Sequence, residues 1–475
     1  MIKRDRVQLW KEWMLPVNQL AGAFGRKKTF FWFVLVLMGF SVKFDAIGVT
    51  SVARGVGLLP SCYTSMLNFF VSGAVNLELL RRLWVTVIFR YFGGIVRINN
   101  RVLIVGDGIK APKEGRKMPG VKWLHQSSDS NSKPEFIMGH SIQALCVLAQ
   151  GLSTCFAVPL TAEIHEGVRF HWRDTRTLLD KMFEMLTGLG IPETYYLVLD
   201  RYYASGRFVK QLVSRDIHIV TMMKKNAVAY RAAKPPKKKQ RGRPKKYGEK
   251  IKLFDLFKTE LPFKSAPWPN DERLTIEYYA IKLLWKPFGD LVLFVLTRHP
   301  VRGDSIVMST DLGADPMSLV TVYGFRFRIE VFFRMAVHQV GAFLYRFWLK
   351  KMAPRKRGGK GDQNMQFAPK DMKESVCRKL HAYHLFIQAA FIAHGLLQYL
   401  SIKCRQSVWS GFGTWLRTIR PNTLPSEMVV SMALSGSHRE FLIDGQHCPI
   451  FTKFMQEKLD ARYFRHKIPT SAEAA

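Results

Sequence analysis

The stretch RVLIVGDG, residues 101–108, is an apolar run rich in β-branched residues that stops on a glycine, an aspartate and a second glycine. Four apolar residues in a row, Val102 to Val105, without polar alternation read as a strand buried on both faces. The first charged side chain after the run, Asp107, should then emerge at the end of the sheet, where open α/β sheets carry their sites. A second run, TYYLVLD at 194–200, has the same form and ends on Asp200. An aspartate after a strand also serves to cap a turn or the next helix, and either one taken alone reads that way. Two such strands in one chain ask for more than capping.

The elements between and after these runs predict an α/β fold, a mixed sheet with helices. SIQALCVLAQ (141–150) and STCFAVPLTAEI (153–164) read as strands at hairpin spacing. Residues 172–190 have helical periodicity and end on glycine, GRFVKQLVSRD (206–216) reads as a helix and IHIVTMMKK (217–225) as a strand. Residues 224–250 hold twelve basic residues, one acid and three prolines, a composition expected of a surface loop or linker. LTIEYYAIKLLW and GDLVLFVLTR, within 251–313, predict a β-rich insertion. Residues 1–96 read as mostly helical.

Charge restricts the partner. The 475 residues carry 72 Lys and Arg against 36 Asp and Glu, a net charge of +36. Such an excess repels itself unless a polyanion neutralises it, and nucleic acid does so with release of counterions. An anionic membrane surface is the competing reading. The stretch from Phe30 to Val42 is too short to span a bilayer, which takes about 20 apolar residues, so it is expected to be a buried helix and no membrane partner is expected. The six cysteines form no CxxC pair, which points to reduced thiols in a cytosol and to neither a disulfide framework nor a zinc site.

The third acid stands out by isolation. Between Pro316 and Gly361 there are ten Lys and Arg residues and one carboxylate, Glu330, in YGFRFRIEVFFR (323–334). Helix electrostatics is one account, since Arg326 and Arg334 sit four residues to either side. The other is metal chemistry on DNA. Phosphodiester cleavage by two metal ions uses hard oxygen ligands, and Asp107, Asp200 and Glu330 supply them while the neighbouring arginines face phosphates. The apolar residues Ile329, Phe332, Phe333, Ala336, Val340, Phe343 and Leu344 predict one buried helix face behind Glu330.

LIVGDGIK, YLVLDRYYASG and YGFRFRIEVFFR together resemble the three acidic motifs of bacterial DDE transposases of the insertion-sequence 4 type, over roughly residues 97–400. The resemblance implies an RNase H-like catalytic domain with an Asp107–Asp200–Glu330 triad and a β-rich insertion between the second Asp and the Glu. It implies two Mg²⁺ ions as cofactors, with Mn²⁺ able to replace them. It further implies an enzyme that binds the terminal inverted repeats of its element, pairs two ends in a homodimer, cuts the strand and joins it to target DNA, with excision through a hairpin in some members. The family's Tyr-x2-Arg-x3-Glu-x6-Lys signature is matched by Tyr323, Arg326 and Glu330, whereas Val337, beside His338, stands where the lysine is expected. The domains expected on this basis are a helical DNA-binding domain (1–96), the catalytic core (97–225 and 321–400), the basic linker and insertion (226–320) and a C-terminal helical region suited to dimerisation (401–475). The expected place is the bacterial cytoplasm, at the nucleoid.

DNA contacts are expected from Tyr323, Arg326 and Arg334, and from Lys110, Arg116, Lys117, Lys122 and His125 in the basic loop after the first aspartate, which also reads as a solvated hairpin. RGRP, with Arg241 and Arg243, resembles the core of a minor-groove AT-hook or belongs to a generic polybasic linker. Trp268 and Trp285 are the aromatics available in the insertion to stack on a flipped base. His381 and His384 read as structural. Two further functions stay open at this level: an inactive relative that occupies DNA ends as a repressor, and an RNase H-like nuclease without strand transfer.

Overall fold

The computed structural model describes residues 2–460 apart from positions 44, 46, 127–133, 153, 236–242, 270, 360, 413–417, 439–440 and 442–448. The chain begins with helices α1 (Ile2–Asn18), α2 (Lys27–Val42), α3 (Val49–Val56), α4 (Tyr63–Phe70) and α5 (Leu77–Tyr91). The apolar run at 30–42 lies within α2, whose residues from Trp32 to Val42 are all buried. It is a core helix of the fold.

The central sheet is built on β2 (Arg101–Pro112), which follows the short β1 (Arg97–Ile98). After β3 (Lys122–His125), the long β4 (Phe136–Gly151) runs antiparallel to β2, and β5 (Thr154–Ile164) antiparallel to β4. A two-residue β6 (Val168–Arg169) and helix α6 (Leu178–Gly188) lead to β7 (Tyr195–Leu199), which is parallel to β2 with Val105 opposite Val198. Helix α7 (Gly206–Val213) then crosses to β8 (His218–Met222), parallel to β7. The order β5-β4-β2-β7-β8 is the RNase H-like mixed sheet the sequence predicts. α6 starts later than its periodicity suggests, because Thr177 and Asp180 close a capping box and fix the first turn there.

The insertion adds β9 (Val228–Ala232), β10 (Tyr247–Lys252), β11 (Lys264–Trp268), β12 (Asp271–Trp285), β13 (Asp290–His299) and β14 (Gly303–Ser309). Its strand β14 pairs antiparallel with β8, Met308 opposite Thr221, so the insertion continues the catalytic sheet into one of 13 strands. The expectation of a linker over 224–250 is corrected here. β9 and β10 pair with each other and bury Ala229 and Ile251. The basic composition hid a short alternation, Val-Ala-Tyr-Arg, that suffices for an edge hairpin.

Glu330 is carried by a short helix. α8 (Pro316–Gly324) is capped by Asp315, which accepts the Ser318 N–H at 2.8 Å, and α9 (Phe327–Met335) follows after two residues. One turn of wider helix, Ala336–Val340, ends on Gly341 at φ 65°. The single helix read through Leu344 is thus shorter, since Gly341 adopts the left-handed conformation that terminates helices. After β15 (Gln363–Asn364), α10 (Lys370–Lys403) runs for 34 residues. It is long and apolar enough to cross a membrane by length and composition, yet 94% of its apolar window is buried inside the protein.

α10 lies along β5, whose outer edge would otherwise present unpaired backbone groups. Gln388 Nε2 donates to Leu160 O at 2.9 Å and Gln398 Nε2 to Ala157 O at 3.3 Å, while His384 Nε2 accepts the Ile164 N–H at 3.0 Å. Trp84 of α5 donates to Pro159 O at 2.8 Å. On its other side α10 packs against α2, with the Phe40 and Phe386 rings 5.1 Å apart, and against α12 (Glu427–Ser435). Helices from both ends of the chain therefore share a core with α10. α10 in turn seats α9, because the Phe332 ring meets Phe391 at 5.0 Å and His394 at 5.3 Å.

Candidate active site

The three acids arrive from separate elements. β2 and β7 are parallel with Val105 opposite Val198, so Asp107 and Asp200, each two residues further on, are neighbours. Asp200 lies just past the end of β7, whereas Asp107 lies within β2, which does not stop there as the sequence suggests but continues to Pro112 paired with β4. Gly106 is closely packed: a Cβ there would stand 2.7 Å from Leu199 Cδ2 and 3.0 Å from Leu145 Cδ2, so a larger residue would oblige those two leucine side chains to shift.

Each aspartate is partly engaged by the backbone. Asp107 Oδ1 accepts the Gly108 N–H at 2.7 Å, and Asp200 Oδ1 accepts the Tyr202 N–H at 3.0 Å as cap of a turn of 3-10 helix over Arg201–Tyr203. Turn capping therefore accounts for one oxygen of Asp200 and leaves the other for chemistry. Behind them Tyr203, 2% exposed, shares a 3.1 Å hydrogen bond with Gln143.

Arg326 joins the set. Its Nη1 lies 3.0 Å from Asp107 Oδ2 and its Nη2 lies 2.5 Å from Glu330 Oε1. Helix electrostatics explains the second contact, at i and i+4, and cannot explain the first, which reaches across to the sheet. The electrostatics follow from this crowding. Burial, with the nearby charges of Asp200 and Glu330, pushes the Asp107 carboxyl up to about 6, although the Gly108 N–H and the Arg326 guanidinium favour its charged form. Burial also raises Asp200, against the Tyr202 N–H and Arg326. Burial raises the Tyr323 hydroxyl as well, and Tyr323 and Asp107 help hold Arg326 charged despite its own burial.

These donors fit a divalent cation. All are hard oxygens, and Asp107 is a carboxylate whose ionised form is disfavoured unless a cation accompanies it. Among the described residues no three or more His, Cys, Asp or Glu side chains are gathered closely enough to hold a metal ion, and Asp107, Asp200 and Glu330 are no exception. The positive charge between Asp107 and Glu330 is instead the guanidinium of Arg326.

The expected DNA contacts divide sharply. Arg334 is exposed on α9, as are Val337 and His338 on the turn that follows. Lys110 Nζ donates to His125 O at 2.5 Å, Arg116 Nε to Arg355 O at 2.9 Å and Lys117 Nζ to Lys350 O at 3.2 Å. Lys113 is buried against the carbonyls of Phe343 and Tyr345, and burial lowers its ammonium to about 7. The basic loop after Asp107 and the basic segment from Lys350 to Arg355 thus lie against each other. Lys122 is paired with Glu166 at 2.5 Å and Asp362 at 3.3 Å, which makes it a structural tie. His125 is half exposed, edge-on to Phe136 at 5.1 Å and 3.7 Å from Glu135. Arg243 is exposed, and Arg241 lies outside the described residues.

Of the two tryptophans, Trp285 is 5% exposed and buried in the sheet, whereas Trp268 is partly open, edge-on to His299 at 4.8 Å. The exposed aromatics that the sequence reading passed over include Phe327 (60%), one turn before Glu330, Tyr202 (52%), two residues after Asp200, and Trp172 (59%). Their signal was adjacency to an acid in the first two cases; Trp172 had none. One cleft, of about 370 Å³, is lined by Arg81, Glu163, His165, Asp174, Arg176 and Lys181 among others and includes none of the three acids.

A family model described as DDE superfamily endonuclease matches residues 19–266, just over half of the chain. The chain belongs to that superfamily. The match includes Asp107 and Asp200 and stops before Glu330. Among solved structures the chain is similar to one titled a cryo-EM structure of piggyBac transposase synaptic complex with hairpin DNA, at 10% identity and a TM-score of 0.39, over 94% of this chain and 78% of that one. No curated protein matches the sequence.

Proposed function

We propose that this DDE endonuclease-family chain is a transposase that cuts DNA at the ends of its own element and joins the freed strand to a target. The observation that carries the reading is that Asp107 and Asp200 lie beside each other on the parallel strands β2 and β7, while Arg326 joins Asp107 to Glu330 of α9. Asp107, Asp200 and Glu330 would hold two Mg²⁺ ions, or Mn²⁺ in their place. Such ions supply a Lewis acid for the attacking water or 3′-hydroxyl and charge neutralisation for the leaving oxygen.

The chain's own residues do the rest. β2 and β7 fix the two aspartates relative to each other, and α10 fixes the angle of α9. Arg334 on the exposed side of α9 is placed to hold a backbone phosphate beside the acids. Lys110, Arg116 and Lys117 each have a hydrogen bond to a carbonyl and would add an electrostatic track for the duplex. Phe327 and Trp268 offer open rings to an unstacked base if excision passes through a hairpin. Pairing of two ends calls for two copies of the chain, each placing one site on one end, in the cytoplasm at the nucleoid.

The test is product analysis on duplexes carrying the inverted repeats that flank this chain's gene, with Mg²⁺ and a target plasmid. Nicked ends followed by joined products support the transposase. Nicks that never join favour a nuclease, and binding without cutting favours a repressor.

A further inference from the structure

Among the described residues Arg326 is the one side chain hydrogen-bonded to two of the three candidate metal ligands, and it does so with two different nitrogens of one guanidinium. Its side chain is 19% exposed, against 22% for Asp107 and 43% for Glu330, so both contacts sit in a partly dried site. A guanidinium always carries its charge and presents its donors in a fixed fork. The two contacts place this charge between an oxygen from β2 and an oxygen from α9. A divalent cation shared by the same two carboxylates has to compete for those oxygens. Arg326 sits at the loop between α8 and α9, immediately before α9 begins, and its long side chain can leave the carboxylates without moving either element.

Resting on the transposase reading, we propose that Arg326 has two stations. In the metal-free, DNA-free protein it is the resident cation that holds Asp107 and Glu330 together; when a divalent cation takes those carboxylates, the released guanidinium takes a phosphate of the DNA end. One residue thereby couples metal loading to substrate binding. A phosphate draws Arg326 off the carboxylates and strengthens metal binding, and by linkage the metal strengthens DNA binding by the same factor. The resting site also has a defence against its own like charges. With Arg326 between them, these two carboxylates need no metal to stay close, so β2 and α9 keep their spacing before the ion arrives.

The experiment is calorimetric titration of Mn²⁺ into DNA-free full-length chain, for wild type, Arg326→Gln and Asp107→Asn, followed by the same titration with a repeat-end duplex bearing no scissile bond. Melting temperatures with and without Mn²⁺ accompany it. Arg326→Gln removes the competitor, so Mn²⁺ affinity without DNA is expected to rise about tenfold, the scale of a half-buried ion pair. Its melting temperature should fall without Mn²⁺ and be raised by Mn²⁺ more than that of wild type. The duplex should strengthen Mn²⁺ binding to wild type, and that gain should vanish in Arg326→Gln. Unchanged or weaker Mn²⁺ binding by Arg326→Gln, with Asp107→Asn abolishing it, overturns the two-station role and leaves the carboxylate site standing. Mn²⁺ binding that survives Asp107→Asn overturns the site itself.

Discussion

Arg326 and Asp107 are 219 positions apart in the chain and meet at 3.0 Å, guanidinium to carboxylate. The contact ties the helix that carries Glu330 to the strand that carries the first aspartate, and it turns an apparent i, i+4 helix pair into the hinge of the candidate site. Asp107 is costly to keep ionised there: its carboxyl is pushed up to about 6 by burial first, then by its acidic neighbours.

That shift predicts a stability signature. Because the folded pKa of Asp107 is raised above its ordinary value of 3.8, the folded state holds this proton where the unfolded chain has released it. Its stabilising contribution is complete below about pH 4 and is lost as pH rises through 6, on the order of 2–3 kcal/mol. Urea unfolding of metal-free protein should show Asp107→Asn gaining on wild type between pH 4 and 7. A difference that stays flat across this range would mean that Asp107 is not strained in this way.

Exposed and tied cations should separate in DNA binding. Arg334→Ala should lower the slope of log affinity against log salt by about 1, the loss of one phosphate contact. Lys122→Ala should leave that slope unchanged and lower the melting temperature instead, because Lys122 is held by Glu166 and Asp362. Equal slopes for Arg334→Ala and wild type would remove Arg334 from the interface.

The edge of β5 predicts a purely structural effect. Gln388, fully buried, donates to Leu160 O at 2.9 Å, and Gln388→Leu leaves that carbonyl without its partner. A loss of about 1–3 kcal/mol in urea unfolding is expected, with DNA affinity of the folded protein retained. No change in stability would indicate that β5 does not depend on this cover.

Much of the core was legible because its signals are local. Apolar runs ending on Asp107 and Asp200 mark strands whatever surrounds them, and the alternation of strand and helix from 101 to 225 orders the sheet. The remainder depends on contacts that the chain order hides. Thr177 and Gly341 cut helices shorter than their periodicity, β9 and β10 hid in a lysine-rich stretch, and β14 pairing with β8 merged the insertion with the core. The same holds at the site. Its acids could be named from sequence, but Lys113, Arg116, Lys117 and Lys122 looked alike as basic residues until their carbonyl and carboxylate partners separated them. Arg326 read as a phosphate contact because nothing local reveals that Asp107 lies within its reach.

The most direct test of the account is strand nicking at the repeat boundary by wild type and Glu330→Gln, on the same end duplex with Mg²⁺, after both are shown to bind it. Glu330 is the acid that lies beyond the residues matched by the family model, so the site stands or falls with it. The account predicts that Glu330→Gln binds the duplex and cuts it roughly a thousandfold more slowly, the effect of several kcal/mol of lost transition-state stabilisation. Equal cutting by both proteins would make Glu330 an ordinary helix charge and contradict the Asp107–Asp200–Glu330 site.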